Sequence, residues 1–562
     1  MAGGDSGGKL EGGLNLATRT NSSAGAQIFD ISTNTFVKVG SLNTARESAA
    51  AVALPNGQAL IVGGETCGPK AYGSTAGFQC NALNTAELYN ERTKVFTFAG
   101  SGSGGVMIAA RNGPSAILIE GSGTALDGQV LIVGGSTGSS FLSAATTPPI
   151  GSPPGQVALN SAELYDPVHD TFTVTGSIPG CALGVASCAT GLPAVCAGPS
   201  TAIASAVESG TTVTVTMTTA NPTGLLVGSN VAVSGVSVAG YNGAFAVTAI
   251  PSRTMFQYAA TPGLNVGAGG TAAADTAECG IVDQGAALIP SDSGKVLLAG
   301  GDLVEFLGES SNLSFIFDPA TQTFTETAGS LITPRELVAL LPMDPSVVTG
   351  ALSGQVVAFG GVEANSSACT TRGDIVATTL NSAEVFDPGT ETWSMPSSTM
   401  GVKRAATATL IETGSLTGEV ILPGGTDLEA GTLPSTCVSA TSLMRKAQSE
   451  TDLYEPDTGI GGAFVSTGIL NQPREGPGTQ AVLVSGRYVP DVLMAGVACT
   501  SPTPSLQSAV IGGEQAAIIC GATNATDDYS ELYSQSGGTW SAGPSFATGF
   551  TPSNGAASVV LP

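Results

Sequence analysis

The chain has 562 residues, of which 42% are hydrophobic and 11% charged, and its formal net charge is −25. This apolar content is too high for a disordered chain, and no apolar run approaches the roughly 20 residues that a membrane-spanning helix needs. The excess of acidic residues argues against a nucleic-acid partner, because phosphate binding uses clusters of Lys and Arg. We therefore predict neither a transmembrane segment nor nucleic-acid binding.

A short phrase ending in an aromatic residue and usually an acid recurs along the chain, as in "AELYD" and "AEVFD". Most copies are followed by a turn and a second apolar stretch, such as "DPVHDTFTV". The seven aromatic positions are Phe29, Tyr89, Tyr165, Phe317, Phe386, Tyr454 and Tyr533. Short apolar runs bounded by Gly, Pro, Asn and Asp are typical of antiparallel strands.

A second apolar run precedes most copies of this phrase and ends in two glycines. It reads "ALIVGG", "VLIVGG", "VLLAGG", "VVAFGG" and "VILPGG", with a degenerate sixth copy, "VLMAGV". Because the two motifs recur in the same order and at similar intervals, they indicate a repeat architecture. We predict four antiparallel strands in each unit.

One interval between repeats is twice as long as the others. Tyr165 and Phe317 are 152 residues apart, and the stretch between them includes "SGTTVTVTMTT" and "AFAVTAI", which are strand-rich and different in character. We predict a small β-rich domain at 197–275, immunoglobulin-like or similar, inserted into a first part at 1–196 and a second part at 276–562. Cys196 and Cys279 flank it.

The Gly-Gly strand, the "AELYDP" strand and the following "T-x-T-[FW]" strand together resemble the kelch repeat of β-propellers. The resemblance covers nearly all of the chain outside the insert and implies an all-β fold, a seven-bladed kelch-type β-propeller. The insert resembles short β-modules of bacterial and phage surface proteins. Neighbouring blades in a propeller bury the faces that a single unit cannot bury alone.

The two ends of the chain carry complementary parts of one repeat. "GAASVVLP" at the C-terminus aligns with the stretch before Pro55, and Met1–Gly4 aligns with Ile61–Gly64. We expect the N- and C-terminal strands to close the seventh blade and so to cover two sheet edges. A few residues of that blade are missing, so either the chain is part of a longer precursor or a neighbouring molecule's strand fills the gap.

Five arginines recur just before the strand that leads to Gly-Gly: Arg46, Arg111, Arg335, Arg404 and Arg474. One interpretation is a ring at the mouth of the central channel that binds an anionic or sugar ligand. The other is that each arginine pairs with the acid of the "AELYD" strand and fastens blade to blade. Those acids are Glu87, Glu163, Glu384, Asp452 and Glu531.

Catalytic and metal-binding patterns are weak in this sequence. Kelch propellers include copper-radical oxidases that resemble galactose oxidase, which need two histidines, but the chain has only His169. We interpret His169 as a solvated turn residue, and we find neither an EF-hand loop nor a Cys/His zinc pattern. The prediction is a protein that is not an enzyme and has no cofactor.

Ten cysteines at loop positions favour disulfides and an oxidising compartment. They are Cys67, Cys80, Cys181, Cys188, Cys196, Cys279, Cys369, Cys437, Cys499 and Cys520. Sequence neighbours are the first candidates for pairing, although sequence alone fixes no connectivity. These candidates are 67 with 80, 181 with 188, 196 with 279, 369 with 437, and 499 with 520.

Low charge, predicted disulfides and a surface-type insert favour an extracellular or cell-surface protein. We predict a structural or adhesive subunit of a surface layer or filament, whose partner is itself or another surface protein or glycan. The alternative is a carbohydrate- or peptide-binding propeller, and a hydrolase or lyase is the third possibility. Ordered polymers of the purified protein would separate the first hypothesis from the second.

Overall fold

A computed structural model describes most of the predicted repeats. The described residues are 22–30, 32–33, 35–72, 75–100, 106–137, 139–143, 157–179, 201–219, 230–252, 254–259, 263–274, 281–290, 292–302, 310–365, 374–402, 404–405, 408–429, 437–439, 444–458, 461–471, 480–485, 490–495 and 529–545. Within these ranges the protein is all-β, with two 3₁₀ helices at Ala239–Tyr241 and Gly350–Leu352 and no α-helix. The all-β prediction is confirmed.

Six sheets share one topology, in which four antiparallel strands follow each other in chain order. We number these sheets along the chain. Sheet 1 comprises Ala50–Ala53, Gln58–Val62, Ala86–Asn90 and Val95–Phe98. Sheet 2 comprises Ser115–Leu118, Val130–Val133, Ala162–Asp166 and Thr171–Val174. Sheet 3 comprises Gly285–Leu288, Val296–Ala299, Ser314–Asp318 and Thr323–Glu326.

The second half of the chain continues the same pattern. Sheet 4 comprises Ala339–Pro342, Val356–Phe359, Ala383–Asp387 and Thr392–Ser394. Sheet 5 comprises Thr409–Leu410, Val420–Pro423, Thr451–Glu455 and Ala463–Ser466. Sheet 6 comprises Gln480–Ser485, Pro490–Ala495, Tyr529–Ser534 and Thr539–Ser545. In every sheet the Gly-Gly motif, or its degenerate copy, follows the second strand, and the aromatic phrase is the third strand.

The first aromatic phrase forms a hairpin in place of a complete sheet. Its strands are Gln27–Asp30 and Thr35–Lys38, which match the third and fourth strands of the other sheets. We call it the N-terminal hairpin. The predicted strands from the two chain ends, 1–21 and 546–562, lie outside the described residues.

All seven repeated aromatic residues pair across the predicted turn with an aromatic residue on the next strand. The ring centroids are between 4.9 and 5.2 Å apart in every pair. Such cross-strand aromatic pairs stabilise an antiparallel hairpin and fix its register. The prediction that a turn and a second strand follow most of these phrases is confirmed.

The second strands are buried along their whole length. Val130–Val133 and Val356–Phe359 are buried at every position, so both faces of these strands are covered. This explains why they are continuous apolar runs, since a strand with one solvated face would alternate polar and apolar residues. Each sheet must therefore pack on both sides.

The hydrophobic clusters show what covers these faces. One cluster joins the N-terminal hairpin to sheet 1, and the next five join sheets 1 and 2, 2 and 3, 3 and 4, 4 and 5, and 5 and 6. The fourth strand of sheet 6 also contacts the second strand of the N-terminal hairpin. Consecutive sheets are thus stacked face to face, and sheets 1 to 5 each provide half of two cores.

The predicted insert contains a closed six-stranded barrel. Its strands are Thr201–Ser209, Thr212–Met217, Asn230–Ser234, Gly243–Ser252, Met255–Ala259 and Thr271–Ala274, all inside 197–275. The long first strand pairs on one side with Thr212–Met217 and on the other with Thr271–Ala274, which closes the sheet on itself. The barrel has its own core, which includes Val213, Phe256 and Tyr258.

Further strands lie in the segments that follow Gly-Gly. They are Glu65–Tyr72, Thr75–Ala82, Ser136–Thr137, Ser139–Ser143, Val157–Ala158, Val362–Asn365, Asp374–Thr379, Thr426–Glu429, Val438–Ser439 and Met444–Ala447. We call this set the loop layer. It lies at the end of sheets 1, 2, 4 and 5 where the second strand ends and the third begins.

Candidate functional site

Four of the five predicted arginines lie in the described part of the chain, and all four are fully buried. Each guanidinium group contacts the acidic residue on the third strand of one sheet. The pairs are Arg46–Glu87 at 2.9 Å, Arg111–Glu163 at 3.1 Å, Arg335–Glu384 at 2.5 Å and Arg404–Asp452 at 2.7 Å. The pairing interpretation is confirmed at these four positions.

The surroundings of Arg111 show how such a charge is held inside the protein. Its Nη1 donates to the carbonyls of Gly134 and Ser161, each at 2.9 Å. Its Nη2 donates to the Ser161 hydroxyl at 2.9 Å and to Glu163 at 3.1 Å. A buried charge is tolerated when it is both paired and hydrogen-bonded in this way.

Each arginine also joins two consecutive sheets. The Arg111 side chain binds sheet 2, but its backbone N–H donates to the carbonyl of Leu83, next to the third strand of sheet 1, at 3.0 Å. Its own carbonyl accepts the N–H of Gly64 in sheet 1 at 2.8 Å. Arg335 and Arg404 repeat both backbone contacts. The arginine therefore fastens one sheet to the next, as the pairing interpretation proposes.

The paired carboxylates have a second role, which the sequence analysis missed. Glu87 accepts the backbone N–H groups of Asn43 and Thr44 at 2.7 and 2.9 Å, and Glu384 accepts those of Ile332 and Thr333 at 2.6 and 2.9 Å. We call the residues between the fourth strand of one sheet and the first strand of the next the linker segment. The carboxylate thus holds the linker segment and the arginine together.

Burial decides what these arginines can do. Loss of hydration lowers the pKa of Arg46, Arg111, Arg335 and Arg404, and the neighbouring carboxylate opposes this shift. Their side chains have 0% exposure. Because these side chains are fully buried, the four guanidinium groups offer no surface to a dissolved anion or sugar.

The fifth member of the predicted ring, Arg474, lies outside the described residues. Its predicted acid, Glu531, is buried and accepts both the backbone N–H and the side-chain amide of Asn471, at 2.7 and 2.8 Å. Asn43 makes the same two contacts to Glu87 in sheet 1. The linker segment between sheets 5 and 6 is thus held in the same way.

Strands of the loop layer pair across neighbouring sheets. Thr75–Ala82, which follows sheet 1's Gly-Gly, pairs with Ser139–Ser143 from sheet 2. Asp374–Thr379 from sheet 4 pairs with Val438–Ser439 from sheet 5, and Ser310 N–H donates to the carbonyl of Ala364 at 2.9 Å. Backbone hydrogen bonds therefore join these loops to loops of a neighbouring sheet.

A disulfide crosslinks one hairpin of this layer. Cys67 and Cys80 are opposite each other in the hairpin formed by Glu65–Tyr72 and Thr75–Ala82, and they form a bond. Their pairing, predicted from sequence proximity, is confirmed. Cys437 is also disulfide-bonded; its predicted partner Cys369 lies outside the described residues, as do Cys181, Cys188, Cys196, Cys279, Cys499 and Cys520.

We expect the double substitution Cys67→Ser/Cys80→Ser to lower the free energy of unfolding by about 2–3 kcal/mol, because the bond closes a short loop in the unfolded chain. Thermal unfolding under oxidising conditions would measure this difference. The same substitution should have no effect on a protein unfolded in reductant, and a loss that persists there would point to altered packing instead.

The single histidine lies where the sequence analysis placed it. His169 is 74% exposed, and its Nδ1 lies 2.7 Å from the carboxylate of Asp166 in the turn after the third strand of sheet 2. It is a solvated turn residue, as predicted.

One carboxyl group in the described structure is poorly accommodated. Glu419 precedes the second strand of sheet 5, and its Oε2 is buried without a hydrogen-bond partner among the described residues. Burial raises the pKa of this carboxyl group above its ordinary value of 4.5, and the charge of Glu455 raises it further. The folded protein thus favours the neutral form.

Glu419→Gln should therefore stabilise the protein at pH 7. A raised pKa in the folded state means that ionisation destabilises the fold, so the penalty is absent below pH 4.5 and grows as the pH rises through the folded-state pKa. The unfolding temperatures of parent and variant should differ at pH 7 and converge near pH 4. A difference of equal size at both pH values would contradict this explanation.

Comparison with known proteins adds a limited structural likeness. No family model and no curated protein matches the chain. A solved structure described as "Structure of YjhT" aligns with 89% of this chain and 98% of its own, with 11% sequence identity and a TM-score of 0.36. Among the described residues, no helix is long and apolar enough to cross a membrane.

Proposed function

We propose that the sheets close into a seven-bladed kelch-type propeller, with the N-terminal hairpin as part of the seventh blade. Six face-to-face cores in chain order support this arrangement. The contact of sheet 6 with the N-terminal hairpin supports it further, because it brings the last sheet to the first. Strands from the two chain ends would complete the blade.

We infer that this propeller is an extracellular structural or adhesive protein without catalytic activity, which acts through its loop layer. The pairing of loop strands from neighbouring sheets carries this proposal. A rigid surface formed jointly by several repeats suits persistent contact with another copy or a surface protein or glycan, since little conformational entropy is lost on binding. The Cys67–Cys80 disulfide supports an oxidising location.

The proposal is tested by removing one part of the loop layer. In the test variant, Asn-Gly replaces residues 66–81, the hairpin after the Gly-Gly of sheet 1. In the control, Asn-Gly replaces residues 91–94, the turn at the opposite end of the same sheet. Sedimentation and electron microscopy of each purified protein at neutral pH would show polymers or layers, and binding to a glycan array would be measured in parallel.

We expect the parent and the control to assemble and the loop-layer variant to remain monomeric, with all three proteins folded by circular dichroism. Monomers that bind a glycan through the loop layer would favour the alternative, a carbohydrate-binding propeller. If the 66–81 variant retained all assembly and binding, the loop layer would not be the functional surface.

A further inference from the structure

Wherever a linker segment carries an arginine, the arginine follows a buried apolar residue at a constant spacing. A buried apolar residue is followed by three residues and then by the arginine, as in Leu42 and Arg46 or Met107 and Arg111; the other pairs are Leu331 and Arg335, Met400 and Arg404, and Leu470 and Arg474. The apolar residue is itself fixed in the structure. The Met107 N–H donates to the carbonyl of Asn84 at 3.0 Å, and Leu331, Met400 and Leu470 make the matching bond.

We call the buried apolar residue and the residue at the arginine position the two anchors of a linker segment. The linker segment between sheets 2 and 3 has both anchors, but they are far apart in the sequence. Ile178 is buried and its N–H donates to Asn160 at 2.8 Å, as Met107 does to Asn84. Ile281 stands in the arginine position, because its carbonyl lies against Gly134 as the Arg111 carbonyl lies against Gly63.

The residue after Ile281 confirms this alignment. Val282 and Asp302 exchange backbone hydrogen bonds at 3.1 and 2.8 Å, as Glu47 and Glu65 do at 2.9 Å. The chain thus leaves the repeat after Ile178 and rejoins it at Ile281 without altering either anchor. In the other linkers only three residues lie between these two positions.

From this we infer that residues 179–280 are one insertion, accepted in place of the three residues that otherwise separate the apolar position from the arginine position, and that sheet 3 is adapted to it by an apolar substitute for the Arg–acid pair. The proposal extends the predicted insert beyond 197–275 to the anchors themselves. It concerns folding and is independent of the proposed function.

The substitution in sheet 3 is complete. Ile281 replaces the arginine, Phe315 replaces the acid of the third strand, and Leu313 replaces the residue whose hydroxyl binds the arginine in sheets 1, 2 and 4. All three side chains belong to the core cluster between sheets 2 and 3. Phe315 faces Leu298 in the same register as Glu87 faces Ile61.

The linker explains why an acid is absent here. In sheet 4, Glu384 accepts the N–H groups of Ile332 and Thr333 in addition to those of Arg335. In sheet 3 the residues at those positions are replaced by the insertion. A carboxylate at position 315 would be buried with few donors, which is costly, whereas packed apolar residues replace a buried ion pair with little loss.

The first experiment removes the insertion. We expect a variant in which Asn-Thr-Ala, the linker 43–45, replaces residues 179–280 to fold cooperatively and retain the β-sheet signal of the repeats. Failure of this variant to fold, while a variant lacking only 201–274 folds, would place the boundary elsewhere and overturn the inferred insertion point.

The second experiment uses a double-mutant cycle to test whether the insertion and the apolar residues of sheet 3 are coupled. Ile281→Arg/Leu313→Thr/Phe315→Glu should lower the unfolding temperature strongly in the full chain and much less in the excised variant, where linker N–H groups are restored. Equal shifts in both backgrounds would overturn the coupling.

A third variant needs no excision. Arg111→Ile/Ser161→Leu/Glu163→Phe installs the apolar set in sheet 2, whose linker is intact, so the N–H groups of Ile108 and Ala109 lose their acceptor. We expect a clear drop in the unfolding temperature of the full chain. An unchanged unfolding temperature would show that the acid is not needed by the linker and would overturn the inference.

Discussion

Arg335→Ala is expected to lower the free energy of unfolding by about 3–5 kcal/mol, the loss typical of breaking a buried ion pair. The substitution leaves the Glu384 carboxylate buried and removes the donors that now bind the carbonyls of Gly360 and Ser382. It also leaves a cavity between sheets 3 and 4. Denaturant unfolding followed by circular dichroism would measure the change.

A surface pair provides the matched control. Lys295 and Asp292 are partly exposed and lie 3.3 Å apart, and Lys295→Ala should cost less than about 1 kcal/mol. The double variant Arg335→Met/Glu384→Leu leaves no unpaired charge, but it should still be less stable than the parent, because the N–H groups of Ile332 and Thr333 lose their acceptor. If both Arg335→Ala and the control changed stability by the same small amount, the buried pair would not stabilise the stack.

Gly300→Ala is expected to be destabilising by about 3 kcal/mol or more, since two costs combine there. The residue has φ = +68°, where a side chain is disfavoured, and a Cβ atom would stand 2.2 Å from the carbonyl oxygen of Arg335. That carbonyl accepts the N–H of Gly301 at 2.8 Å. Relief of the overlap would therefore separate sheet 3 from the linker that leads to sheet 4.

Substitution of Gly121 separates the cost of the backbone conformation from the cost of the close contact. Gly121 has nearly the same conformation, with φ = +67°, but no atom lies within 4 Å of a Cβ added there. Gly121→Ala should cost only about 1–2 kcal/mol, the conformational part alone. The difference between the two variants measures how tightly the Gly-Gly motif contacts the next linker. Similar losses in both would mean that the close approach is unimportant.

Local patterns in the sequence predicted the strands well because each residue in them has one clear role. The aromatic residue of "AELYD" packs on its cross-strand partner, and the continuous apolar run before Gly-Gly follows from burial on both faces. The acid of the same phrase could be matched to the arginine because both recur together. The disulfide between Cys67 and Cys80 followed from proximity in one loop.

Features that depend on contacts between distant repeats could not be predicted in this way. Nothing in the residues of Thr75–Ala82 specifies pairing with Ser139–Ser143 rather than with solvent. Closure of the barrel depends on Thr201–Ser209 bonding on both sides. The role of Glu87 toward the N–H groups of Asn43 and Thr44 has no sequence signature, because every residue carries a backbone N–H.

The opposite end of each sheet has a different chemistry from the loop layer. There the third strand turns directly into the fourth, and Asp166, Asp318 and Asp387 each accept a backbone N–H within their own turn at 2.8 Å. Val168, in the turn of sheet 2, is 85% exposed. The molecule thus has an attachment side opposite the loop layer: a dye, an anchor or a fused peptide placed in the turn at 167–169 would orient the protein on a support with the disulfide-bonded end facing outward.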